Sequence, residues 1–136
     1  MPAQDLANYV PALKFKQAKL RLRDLEGGGL LTTGSLFYVD SVTGSSVNPG
    51  DRPDKPMATI TQAVAKCTAS KGDIIVVLPG HSESSDAATD VVVDKAGVRI
   101  VGFGESRARP EITFDGTAGT VELDAADCTL ENISLI

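Results

Sequence analysis

The chain has 136 residues, 42% of them hydrophobic, with a formal net charge of −5 and a sequence pI near 4.7. That length suits one domain able to bury about two-thirds of its unfolded surface without disulfide staples. The acidic balance argues against a nucleic-acid partner, whose phosphates attract a basic patch. No apolar run approaches the roughly eighteen residues of a membrane span, and no export signal is expected.

Residues 1–35 differ from the remainder. Lys14, Lys16, Lys19, Arg21 and Arg23 fall together without an intervening acid, whereas residues 27–136 carry eight basic and fifteen acidic side chains. Phe15, Ala18, Leu22 and Leu25 have helical spacing, yet Lys19-Leu-Arg-Leu-Arg23 alternates as a strand does, so periodicity leaves both forms open. The segment is expected to be an extended docking arm that takes its shape from an acidic protein surface. Its candidate docking residues are Lys14, Phe15, Lys16, Lys19, Leu20, Arg21, Leu22 and Arg23. Gly27-Gly-Gly29 and Thr32-Thr-Gly-Ser35 then read as a flexible break, because glycine runs gain little burial to offset lost conformational freedom.

Residues 36–136 read as the body. Leu36 to Asp40 is an aromatic and β-branched strand, followed by a turn-rich loop to Pro56. Thr59 and Gln62 form a capping box opening a helix over about 59–70, with Ile60, Ala63, Val64 and Cys67 on one apolar stripe and Gly72 closing its C-terminus. Asp73 to Leu78 is a continuous apolar run, which fits a strand buried on both faces. Short strands are expected at Val91–Asp94, Val98–Phe103, Glu111–Phe114, Val121–Leu123 and Cys128–Ile133.

Within that succession the segment from Val91 to Phe103 recurs thirty positions later as Val121 to Ile133. The ungapped alignment keeps Val91/Val121, Asp94/Asp124 and Ala96/Ala126, and sets apolar on apolar at 93/123, 98/128, 100/130 and 103/133. A short repeat of strands and turns cannot bury its own apolar face, so it points to stacked coils. The expected class is mainly β: the start of a right-handed parallel β-helix with one capping helix. An antiparallel sandwich or jelly roll remains the alternative.

Four groups of residues invite a chemical reading. Asp94 and Asp124, stacked about 5 Å apart in adjacent coils, would form a carboxylate pair suited to glycan cleavage or calcium. The plainer reading makes each the first residue of the same turn, bonding its own backbone, with Lys95 neutralising its neighbour. His81 lies beside Ser82, Ser84, Ser85 and Asp86, the ingredients of a nucleophilic triad, but their crowding suits a polar surface loop better. Asp40, Asn48, Asp51 and Asp54 offer oxygen ligands without EF-hand spacing, which favours turn chemistry. Gly102-Phe-Gly104 lacks the third glycine and helix start of a phosphate loop. Cys67 and Cys128 occupy apolar positions and are expected as reduced core thiols with no zinc site. No catalytic residue, metal or other cofactor is assigned.

Tyr38-Val-Asp40, Gly44-Ser45, Asn48, Gly50, Pro56, Ala58-Thr-Ile60, Ala63, Gly72-Asp-Ile-Ile-Val76 and Pro79-Gly80 resemble the N-terminal part of pectin-lyase-like right-handed parallel β-helix proteins. Val98-Arg-Ile-Val-Gly-Phe-Gly104, Arg109-Pro110 and Leu130-Glu-Asn-Ile133 are similar to stretches of structural proteins of tailed bacteriophages. The resemblance implies a helix that caps the coil stack and a non-catalytic virion component, a head decoration, cement or head-fibre protein held by its arm. It also implies other virion proteins as partners, the major capsid protein first, a homotrimer, and location in the virion after assembly in the host cytoplasm. Neither nucleic acid nor membrane is an expected partner. The alternative function is the N-terminal portion of a tailspike or polysaccharide-degrading enzyme with catalytic residues beyond Ile136.

Overall fold

A computed structural model describes residues 32–86 and 88–136. The eight arm residues named above lie outside the described residues. The strands are β1 (Leu36–Val39), β2 (Ile74–Val77), β3 (Ser82–Ser85), β4 (Val91–Val93), β5 (Arg99–Gly102), β6 (Glu111–Phe114), β7 (Val121–Leu123), β8 (Thr129–Glu131) and β9 (Ser134–Leu135). Among the described residues, one α-helix, α1 (Ile60–Lys66), and a 3₁₀ turn at Ser106–Ala108 complete the set.

The strands form three parallel sheets with orders β1-β2-β5-β8, β3-β6-β9 and β4-β7. From β2 onward the chain visits the first, second and third sheet in turn, then the first again. Every ladder between these strands is parallel, contrary to the antiparallel sandwich. The repeat sets the register directly: Val91 pairs with Val121, Val93 with Leu123, and Ile100 with Leu130. Each pair stacks like upon like because side chains alternate between faces with a period of two, so a shift by one residue would reverse every face.

Val39, Ile75, Val77, Val91, Val93, Val98, Ile100 and Ile112 build the core, with Val121, Cys128, Leu130 and Ile133 partly buried against it. The four residues of β2 are all buried, as its apolar run predicts. β3 was not expected, because its Ser-Glu-Ser-Ser sequence has no apolar alternation; it is held by its parallel ladder to β6.

The helix begins where expected and ends early. Thr59 accepts from the Gln62 N–H at 3.2 Å, and Gln62 Oε1 accepts from the Thr59 N–H at 3.3 Å, closing the capping box. Ile60, Ala63, Val64 and Cys67 are buried, and the helix packs on β4, β1 and β2. Seven residues are too few for a stable isolated helix, so this packing supplies its stability. Cys67 is already extended, with ψ at 154°, so Gly72 does not close the helix. The following segment is drawn off by other partners: the Thr68 N–H donates to Asp73 Oδ2 at 2.7 Å and the Ser70 N–H to the Ala96 carbonyl at 2.8 Å.

Residues 32–35 also depart from the expected break. Thr32 Oγ1 bonds the Gly72 carbonyl, the Ser35 N–H donates to Asp73 Oδ1 at 2.7 Å, and the Ile74 N–H donates to the Ser35 carbonyl at 2.9 Å. Thr32 to Ser35 therefore belong to the body, fixed by a carboxylate that is 1% exposed. No helix among the described residues is long and apolar enough to cross a membrane.

Candidate functional site

His81 and Glu83 make the most unusual side-chain arrangement among the described residues. The turn at Leu78–His81, with its 3.2 Å bond from the His81 N–H to the Leu78 carbonyl, delivers His81 inward immediately before β3. Its side chain is fully buried, so it is not part of a surface loop. His81 Nε2 lies 2.7 Å from Glu83 Oε2, and that oxygen also accepts the Ile60 N–H at 3.0 Å. A carboxylate accepts only, so Nε2 is assigned as the donor of this bond. Nδ1 is buried and has no hydrogen-bond partner among the described residues. The pair joins β3 to the first turn of α1, whose leading N–H groups lack intrahelical acceptors.

The neighbouring serines are not arranged around this ring. Ser85 Oγ donates to the Thr120 carbonyl at 2.7 Å and lies 3.5 Å from Asp90 Oδ1, while Ser82 and Ser84 are exposed. Asp86 accepts from the Ala88 and Thr89 N–H groups and from Thr89 Oγ1, and these bonds hold its carboxyl below the usual aspartate range. The imidazole thus meets a carboxylate that also takes a helix amide, and among the described residues no hydroxyl is bonded to the ring.

Asp94 and Asp124 stand one residue beyond the β4–β7 ladder, where the Asp124 N–H donates to the Val93 carbonyl at 2.9 Å. Both are exposed. Asp94 Oδ1 is 3.5 Å from Lys95 Nζ, as expected, and the same ammonium reaches the Val64 carbonyl at 3.3 Å near the end of α1. Neither carboxylate accepts from its own turn's backbone, contrary to that part of the expectation. The two turns instead match through backbone conformation, with Gly97 and Asp127 both at positive φ.

Turn chemistry accounts for the first loop. Asp40 accepts from the Val42 N–H at 3.0 Å and Thr43 Oγ1 at 2.8 Å, Asn48 donates to the Pro56 carbonyl at 2.8 Å, and Arg52 lies 3.4 Å from Asp54. Among the described residues no group of three or more His, Cys, Asp or Glu side chains is placed to hold a metal ion. Both cysteines are free. Cys67 donates to the Ala63 carbonyl at 3.4 Å, and burial pushes its thiol up to about 12; Cys128 donates to the Lys95 carbonyl at 3.2 Å.

Three residues outside the sequence-derived candidates hold the body together: Asp73, Glu83 and Asn132. Asn132 Nδ2 donates to the carbonyls of Gly102 and Gly104 at 2.9 and 3.0 Å, so the Gly-Phe-Gly turn is clamped by the residue that follows β8. A Cβ at Gly102 would lie 2.3 Å from the Asn132 carbonyl oxygen, which explains the glycine. The sequence signal for Asn132 is an asparagine directly after a strand, a residue type that tolerates its φ of +55°. Glu83 had no comparable signal, since its partners lie on the helix and before the strand.

No family model, curated protein or solved structure matches the chain.

Proposed function

We propose that residues 32–136 form the first coils of a right-handed parallel β-helix, and that the protein is a non-catalytic structural component of a tailed-bacteriophage virion. Head decoration, cement or a head fibre is the favoured placement, with the major capsid protein as the surface that receives the basic arm and a trimer as the assembled form. The observation that carries the coil reading is the cyclic visiting of three parallel sheets, with repeat positions paired in register at Val91/Val121 and Ile100/Leu130. Such stacking makes a stiff body in which each unit rests on its neighbours.

The chemistry of the body's polar groups favours a structural role over glycan cleavage by the carboxylates of residues 32–136 themselves. Asp73 is engaged by Ser35 and Thr68, Glu83 by His81 and Ile60, and Asp94 by Lys95. Trp is absent from the sequence and aromatics make up 4% of it, which leaves little material for a sugar-stacking platform.

The test is binding to particles of the encoding phage that lack the protein. The full chain is expected to load onto them. A variant carrying glutamate at Lys14, Lys16, Lys19, Arg21 and Arg23 is expected to keep the body's circular dichroism and lose loading. Equal loading by that variant overturns the arm's role, and turnover of capsular or pectic glycans by the full chain overturns the non-catalytic assignment.

A further inference from the structure

The turn that leads from β6 to β7 is held at both ends and free in the middle. At its start the Asp115 N–H donates to the Ser85 carbonyl at 2.9 Å. At its end the Thr120 N–H donates to Asp90 Oδ1 at 2.9 Å, and the Thr120 carbonyl accepts from the Val91 N–H at 3.1 Å and from Ser85 Oγ at 2.7 Å. Residues 115–118 are exposed. Gly116 has a φ of +77°, and a Cβ there would meet nothing within 4 Å outside its own chain neighbours.

Asp115–Gly116 is the only aspartate–glycine step in the sequence, and no asparagine precedes a glycine. Glycine carries no Cβ to crowd its own amide nitrogen. Most other aspartates of the body are occupied: Asp40, Asp73, Asp86 and Asp90 accept backbone N–H groups, and Asp54 and Asp94 lie beside Arg52 and Lys95. The Asp115 carboxyl accepts no hydrogen bond among the described residues, and the Gly116 N–H donates none. A free carboxyl thus stands beside a free, uncrowded amide.

We propose that Asp115 rearranges to isoaspartate in the folded chain, which makes this turn a covalent modification site. The Gly116 nitrogen attacks Asp115 Cγ: a C–N bond forms, the C–O bond of the protonated carboxyl breaks, and the hydroxyl leaves with the amide proton as water. The product is a cyclic succinimide. Water then adds at either of its carbonyl carbons. Cleavage of the bond from nitrogen to Cγ returns aspartate; cleavage of the bond from nitrogen to the main-chain carbonyl carbon leaves isoaspartate, with no net change in mass or oxidation state. The main chain then runs through Cβ and Cγ and is one atom longer. The turn can take that atom because the bonds at the Asp115 N–H and at Thr120 lie on either side of the lengthened stretch. The inference stands apart from the virion assignment.

The experiment ages the folded full chain in mildly acidic buffer made with heavy-oxygen water. The chain is then digested and its peptides are fragmented by electron transfer in a mass spectrometer, which distinguishes isoaspartate from aspartate. Heavy oxygen and isoaspartate are expected at residue 115 and not at Asp51, Asp124 or Asp127, which are also exposed but precede residues with a Cβ. Asp115→Glu, whose longer side chain closes a larger ring more slowly, is expected to remove the signal in a chain whose circular dichroism is unchanged. Rearrangement seen only after unfolding in urea overturns the proposal, as does none at residue 115 or equal labelling at the other three aspartates. Hydrogen exchange of the aged chain completes the test. Retained protection at Asp115 and Thr120 supports a turn that accepts the longer backbone, and lost protection overturns that part.

Discussion

Gly97 and Asp127, thirty positions apart, occupy the same left-handed turn after paired strands β4 and β7, with φ of +79° and +59°, and the Gly97 N–H donates to the Ala126 carbonyl at 2.9 Å. The repeat therefore preserves a backbone conformation at a position where it does not preserve the residue.

A Cβ at Gly97 would meet Ser70 Cα at 3.8 Å, an ordinary contact, so Gly97→Ala is charged only with the left-handed conformation. Its expected cost is about 1–2 kcal/mol in urea unfolding. Asp127→Gly relieves similar strain but adds freedom to the unfolded chain, so its midpoint should stay within about 0.5 kcal/mol of the parent. Equal losses for the two substitutions would show that the turns are not equivalent.

Asp73 joins the start of the body to the segment after α1 through the Ser35 and Thr68 N–H groups, both at 2.7 Å. Asp73→Ala leaves those donors without their charged acceptor and should destabilise by about 3 kcal/mol. Hydrogen exchange should then accelerate at Ser35 and Thr68 first. Unchanged exchange at both amides would contradict the assigned bonds.

Glu83→Ala leaves the Ile60 N–H and His81 Nε2–H unpaired, with an expected loss of about 3 kcal/mol. In a double-mutant cycle with His81→Ala, the two residues should couple by about 1–3 kcal/mol, because the second truncation has no pair left to break. Additive losses would mean that the imidazole and the carboxylate are held independently.

The Cys67 thiol has its ordinary value of 9.0 raised to about 12, chiefly by burial and secondarily by the charge of Asp73. At about pH 8 the native chain should therefore release no thiolate from Cys67, and alkylation there should wait for unfolding. The linkage follows the same sign: stabilisation by the protonated thiol is complete below 9.0 and is lost as pH rises toward 12. Cys67→Ala should flatten the alkaline decline in stability, and mass spectrometry of alkylated peptides reads the labelling directly.

Much of the architecture was legible because it is written in local pattern. The spacing of Ile60, Ala63, Val64 and Cys67 identifies the buried helix face, and Thr59 with Gln62 identifies its start. The apolar repeat positions at 100/130 foretell the ladder between β5 and β8. β3 was illegible because Ser82–Ser85 carries no apolar period, and the early end of α1 was illegible because Thr68 is bonded to a carboxylate five residues downstream.

The same distinction separates the candidate groups. His81 and its serines look in sequence like one polar cluster, yet His81 is buried against Glu83 whereas Ser85 turns to Thr120 and Asp90. Alternation along β3 turns Ser82 and Ser84 outward, and the arrival of α1 at Glu83 and of Thr120 at Ser85 separates the rest.

The sequence by itself determined which residues are apolar, where they recur and which turns tolerate left-handed backbone, because those properties belong to a residue and its near neighbours. Tertiary structure alone decided that Asp73, Glu83 and Asn132 hold the body and that β3 pairs with β6. Each of those outcomes depends on which donor or strand arrives from elsewhere in the chain, and hydrogen bonds act only over the few ångströms that folding closes.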